Sequence, residues 1–230
     1  MKNIPATFGE SGTRGKACRS LVLFAAGVGV FLFSGCAGGV KDTSRTFSGV
    51  VIDAGHGGHD SGTRSRYAGR EKDATLDVVM HLRPKVAAAG FRTVMTRSDD
   101  TFIPLDTRAS ISNRQQNVIF VSVHFNDSPR SGIRGTEVYY NSRCSAEIAQ
   151  NILNQVAALP GASSRGIRTA NFRVLRKAQY PAVLVECGYF SNPYEGRRCG
   201  SGAYHEQLAE AIARGISIQR HGSAAMLAAE

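Results

Sequence analysis

The chain has 230 residues with an apolar share of 42% and a charged share of 20%, ordinary globular values that exclude disorder, collagen-like repeats and coiled coil. That length holds one domain with a sizeable core, or a domain plus a tail. The 28 Lys and Arg against 18 Asp and Glu give a net charge of +10, which draws an exported protein to anionic wall polymers or membranes; the cations are scattered and no nucleic-acid motif is present, so nucleic acid is not expected as a partner.

The N-terminus carries a basic stretch, RGKACRS, followed by the apolar run LVLFAAGVGVFLF from Leu21 to Phe33. This order is that of a secretory signal, and the run is short for a spanning helix, which needs about 20 apolar residues. It ends in Phe33-Ser34-Gly35-Cys36-Ala37, which resembles a bacterial lipobox, although Phe33 stands where Leu is usual. The expected organisation is a lipoprotein-type signal peptide over 1–35, lipidated Cys36 and a flexible linker over 36–46, a catalytic domain over 47–219, and a tail over 220–230. The protein is then exported to the periplasm or cell surface and anchored to a membrane by lipid. Loss of residues 1–35 removes Lys2, Arg14, Lys16, Arg19 and Glu10 and leaves +7. Cys144, Cys187 and Cys199 remain, allowing at most one disulfide, and their spacing matches no thiolate zinc motif.

From there β-branched runs predict strands over 49–53, 92–96, 118–123, 135–140, 172–176 and 182–186. Amphipathic stretches predict helices over 72–89, 105–116, 145–158 and 205–218, with Pro84 expected to kink or end the first. Several strands are apolar throughout, as strands covered on both faces are. The fold class is therefore α/β: a single domain with a mostly parallel mixed sheet flanked by helices.

Two of these strands deliver an imidazole. VIDAGHGGHDSG runs from Val51 to Gly62 and places His56 among glycines; VIFVSVHFN ends a second apolar run with His124 and Asn126. A dinucleotide-binding turn does not fit the first, because Asp60 occupies the third glycine position. Glu71 stands directly before a helix, where a carboxylate also suits the helix dipole. Alone, each residue reads equally as solvated or structural. Together, two imidazoles and a carboxylate are the ligand set of a catalytic zinc site with water in the fourth position. Glu186 terminates the apolar run AVLVE, and a buried carboxylate has to be paired, metal-linked or functional; beside a zinc-activated water it could accept and return a proton.

The ordered segments IDAGHGGHDSG, GREKD, TVMTRSDDTFIPLDTRASISN, FVSVHFN, GTEVYY and VLRKAQYPAVLVECGYFSN resemble the zinc-dependent N-acetylmuramoyl-L-alanine amidases of bacterial cell-wall cleavage over nearly the whole domain. The resemblance implies one zinc ion on His56, Glu71 and His124, Glu186 as general base, and hydrolysis of the amide between N-acetylmuramic acid and the stem peptide's L-alanine. It makes peptidoglycan the partner, leaves any activator protein unassigned, and puts His59 and Asn126 near substrate, with Arg97, Arg108 and Asn113 structural. Glycines around His56 are expected to let glycan approach, and Phe125 to narrow the groove. GTEVYYNSRCSAEIAQ passes from strand to helix without room for an inhibitory insertion. Two alternatives use the same segments: a zinc carboxypeptidase or endopeptidase on the stem peptide, and a catalytically silent wall-binding lipoprotein, which would have no need of Glu186.

Overall fold

The computed structural model describes residues 39–222; the signal segment, Cys36 and residues 223–230 lie outside the described residues. In chain order the elements are β1 (Gly49–Ala54), β2 (Arg64–Ser65), β3 (Gly69–Arg70), α1 (Glu71–Ala88), β4 (Arg92–Met95), α2 (Leu105–Asn113), β5 (Val118–Asn126), β6 (Thr136–Tyr140), α3 (Ala146–Ala157), β7 (Ser164–Thr169), α4 (Arg173–Arg176), β8 (Ala182–Tyr189), α5 (Pro193–Cys199) and α6 (Gly202–His221). Six strands form one sheet in the order β4-β1-β5-β8-β6-β7, and β2 and β3 form a small ribbon. All neighbours in the large sheet are parallel except β6 with β8, which is the mostly parallel mixed sheet expected.

Successive strand residues point to opposite faces, and here both faces are dry. Val50, Ile52, Ile119, Val121, Val123, Val183 and Val185 pack beneath α1, α3 and α6. Val51, Phe120 and Leu184, one residue out of step, pack with Val174 and Leu175 of α4 on the other face. Each such side chain contributes about 1.5–3 kcal/mol on burial, so the register of the central strands is strongly specified.

Several elements differ from the sequence expectation. Of residues 172–176, expected as a strand, 173–176 form the short helix α4: adjacent Val174 and Leu175 are both buried, and a helical turn can bury neighbours that a strand would send to opposite faces. Strand β7 has only Ile167 as an apolar member and carries Gly166 at φ +95, so no alternation announces it. Helix α5 begins where Asn192 accepts hydrogen bonds from the Tyr194 and Glu195 amides, with Pro193 at its first position. Helix α1 continues through Pro84 to Ala88; Pro84 and Met80, whose carbonyl loses its partner, are both exposed, so water can serve that carbonyl, while Leu82 and Val86 hold the buried side. Cys144, Cys187 and Cys199 are free thiols.

Residues 41–46, expected as part of a free linker, are docked. The Lys41 amide donates to the Gln179 carbonyl at 2.7 Å, Thr43 Oγ1 donates to the Val118 carbonyl at 2.6 Å, and Gln219 Nε2 donates to the Ser44 carbonyl at 3.0 Å. Phe47 is fully buried and stacks on Phe91, closing the end of the sheet where β1, β5 and β8 begin.

Gly215 of α6 lies so close to α3 that a Cβ would stand 2.6 Å from the Ile152 Cα. Gly215→Ala gains about 1 kcal/mol of helix propensity but forces two backbones apart, so a net loss of about 1–3 kcal/mol is expected. Denaturant unfolding measures it, and a raised midpoint would contradict the packing described.

Candidate metal centre and its cleft

Because β1, β5 and β8 run parallel, their C-terminal ends meet on one side, and three remote segments converge there. His56 follows β1 with φ +60, a left-handed backbone that costs a non-glycine residue about 1–3 kcal/mol unless its surroundings enforce it. Arg108 enforces it: Nη2 donates to the His56 carbonyl at 2.6 Å, and Nη1 to the Ala54 carbonyl at 2.5 Å and to Asp53 Oδ1 at 2.9 Å. Arg97 donates to the carbonyls of Ala54 and Gly55. Thr96 and Ser122 hydroxyls donate to the two oxygens of Asp53. Asp53, Arg97 and Arg108 are all buried.

Glu71, the first residue of α1, is the meeting point. Its Oε1 lies 3.0 Å from His56 Nε2 and 3.0 Å from His124 Nδ1, and one donor atom from each residue falls within 4.8 Å of the others. Glu71 Oε1 also accepts the Phe125 amide, and Oε2 the Thr63 amide. Burial opposes its ionisation, yet the hydrogen bonds and charges of His124 and His56 hold the carboxyl well below the usual range. His56 Nδ1 sits 2.9 Å from Asp60 Oδ2; a ring donating there leaves Nε2 as a lone pair facing the cluster. Burial of Asp60 is outweighed by the Gly62 amide and His56, which keep its carboxyl below its ordinary value.

These donors suit zinc. Two imidazoles and one carboxylate are a catalytic zinc set, and tetrahedral bonds of about 2.0–2.1 Å place ligand atoms about 3.3–3.4 Å apart, comparable with the 3.0 Å from Glu71 Oε1 to each imidazole nitrogen. The imidazoles keep 22% and 19% of their side-chain surface open, so the centre is reachable from solvent.

Glu186 stands opposite His124 in the β5–β8 register. Its Oε2 is shut off from solvent and has no hydrogen-bond partner among the described residues. Burial pushes its carboxyl well above the ordinary range, and the charges of Glu71 and Glu137 push it further. Glu137 is its counterpart across the antiparallel β6–β8 pair, and every feature there is reversed: it accepts from Asn126 Nδ2, Tyr139 Oη and Tyr189 Oη on Oε2 and from Arg165 Nε and Arg168 Nε on Oε1. Burial together with Glu137 pushes both tyrosines up to about 12, so they stay protonated donors.

The donors open into a cleft of about 620 Å³ walled by Phe102, Ile103, Leu105, Phe172 and Val174, with Asn126 and Glu186 also lining it. Asp106 of α2 and Arg173 of α4 clasp this wall with two 2.5 Å contacts. His59 is exposed, its ring 4.1 Å from that of Phe102, at the edge of the wall. Asn113 ties α2 to the Lys177 carbonyl and the Gln179 amide.

One expectation is corrected. The Phe125 ring is buried against Phe190, so it builds the core instead of narrowing the groove. The glycines make room for the site's own groups: a Cβ on Gly55 would lie 2.3 Å from the His124 ring, on Gly57 2.3 Å from the Thr101 carbonyl, and on Gly62 2.6 Å from Glu71 Oε2. Asp60 and Glu137 were not singled out by sequence; a polar residue in a loop or at an alternating strand position reads as solvated.

Residues 50–218 match the family model described as N-acetylmuramoyl-L-alanine amidase. N-acetylmuramoyl-L-alanine amidase LytC of Bacillus subtilis is 33% identical over 167 residues, 71% of this chain and 34% of LytC, so the chain spans about a third of that relative. The catalytic domain of the amidase CwlV from Bacillus (Paenibacillus) polymyxa var. colistinus superposes with a TM-score of 0.71 at 36% identity, covering 74% of this chain and 97% of that one. The CwlD amidase of Clostridioides difficile, solved in complex with the GerS lipoprotein, superposes with a TM-score of 0.70 at 26% identity over 75% and 98% of the two chains.

Gly55→Ala is expected to lower the affinity for added zinc at least tenfold, by calorimetry, with the far-ultraviolet spectrum unchanged. Arg108→Met leaves the buried Asp53 charge without its cation, so an unfolding free energy lowered by about 3–5 kcal/mol is expected from denaturant titration; near-neutral stability would reject the support assigned to this pair.

Proposed function

The chain belongs to the N-acetylmuramoyl-L-alanine amidase family and is a hydrolase of peptidoglycan amide bonds, and we propose that it cleaves the bond between N-acetylmuramic acid and L-alanine with one zinc ion on His56, Glu71 and His124 and with Glu186 as the proton carrier. The observation that carries this reading is the unpartnered Glu186 carboxylate on the strand next to a converged His-Glu-His set. When bound, zinc supplies Lewis acidity that polarises a carbonyl and acidifies water, and its charge offsets that of Glu71 at Glu186.

The chain's own residues do the rest. Asp60 fixes the His56 ring so that Nε2 faces inward. Glu186 takes a proton from the attacking water and returns it to the departing alanine nitrogen as the carbon–nitrogen bond breaks. Glu137, already ionised and satisfied, cannot compete for that proton, and through Asn126 it fixes an amide in the cleft. The apolar wall from Phe102 to Val174 shields one side of the reacting groups from water.

Export and anchoring are part of the same proposal: residues 1–35 as a signal, Cys36 lipidated, and 47–219 as the catalytic domain. The apolar run before Cys36 supports this. Strand β6 passes through a short 3₁₀ turn at Arg143–Ser145 into α3, so the active site has no inhibitory insertion at that point; control then falls to localisation or to a separate protein.

Digestion of purified peptidoglycan with product masses read out tests the reaction. Free intact stem peptide is expected, whereas loss of a terminal alanine alone would favour the peptidase. Glu186→Gln should lower turnover about 10²–10⁴-fold with zinc content unchanged, while His56→Ala and His124→Ala should release the metal.

A further inference from the structure

We propose that a patch beside the N-terminal ends of β5 and β8, built from Lys41, Arg176 and Lys177, is a membrane-docking face for anionic phospholipid headgroups. The proposal rests on the reading of Cys36 as the lipid-bearing residue.

The three cations line one depression together with Gly39, Ala178 and Gln179. All three are exposed, and no carboxylate lies within ion-pair distance of any of them among the described residues. Two acids lie near the patch: Asp42 accepts from the Ser44 amide and hydroxyl, and Asp106, which also feels the charges of Lys177 and Arg176, is held at both oxygens by Arg173. Lys41 is held over the Tyr180 ring at 5.5 Å, and its amide bonds to Gln179, so the patch is a fixed feature of the fold.

Its position selects the lipid. The docked segment crosses the N-terminal ends of β5 and β8, whereas the metal donors sit at the other end of the same parallel strands. Val118 to His124 is six residues of β5, about 20 Å at 3.3 Å per residue. Cys36 precedes Gly39 by three residues, a reach of at most about 10 Å. A lipid at Cys36 therefore keeps this face within reach of the bilayer. Cations at such a surface gain from the negative potential of anionic lipid.

Residues 37–230 contain the whole buried core and can be tested without the lipid. Sedimentation with vesicles of 30% phosphatidylglycerol in phosphatidylcholine should capture the protein, with capture falling as salt rises. Lys41→Glu/Arg176→Glu/Lys177→Glu should weaken capture at least tenfold, while Arg66→Glu, at the cleft end, should bind like the wild type; thermal melts confirm that both are folded. Equal capture of the triple variant, equal capture by phosphatidylcholine alone, or tighter retention by a soluble glycerol-phosphate polymer of matched charge would overturn the proposal. Mass spectrometry of the protein extracted from membranes reads acylation of Cys36 separately, so loss of the anchor reading is distinguishable from failure of the docking face.

Discussion

A carboxylate and a guanidinium, both removed from water, hold the segment on which the candidate metal centre depends. Asp53 and Arg108 are nearly fully buried, and a buried pair gains little over an apolar replacement in stability alone. Here the pair has another use. Once neutralised by Asp53, Arg108 has donors left for the carbonyls of Ala54 and His56, which keeps His56 in a backbone conformation it would otherwise leave. The strain at one donor is thus held by a polar network reaching β4, α2 and β5.

Two glutamates facing each other across β6 and β8 show how environment divides roles between like groups. Glu137 has five donors and is committed to its charge; Glu186 has an oxygen with none. Satisfying one carboxylate completely and leaving the other incomplete separates their proton affinities, a pattern that marks acid–base pairs in enzymes. Asn126 and the two tyrosines turn their donors to Glu137, so those groups are withheld from Glu186.

Much of this was legible in the sequence because the informative residues close apolar runs. His56, His124 and Glu186 each interrupt a β-branched run, and parallel strands bring such ends together. Residues that act through hydrogen bonds were not legible: Asp60 and Glu137 occupy positions where a polar side chain usually meets water. The glycines were visible, but the neighbours they accommodate come from residues up to 70 positions away. Phe125 was misplaced for a related reason: the strand continues past His124 to Asn126, which turns the Phe125 ring inward. At 172–176, apolar composition alone could not tell a helical turn from a strand.

The three donors also lie on segments far apart in the chain, joined only by the closed sheet. Position 56 meets 124 through β1–β5 pairing, and Glu71 reaches both only once α1 has packed on that sheet. An unfolded chain has no local pair of these residues able to chelate, in contrast to metal motifs carried on one helix or loop. An ion taken up by the three therefore binds the native chain almost alone, and by mass action its whole binding free energy adds to the free energy of folding. The same topology means that the three donors come together only where β1 has paired with β5 and α1 has packed on the sheet.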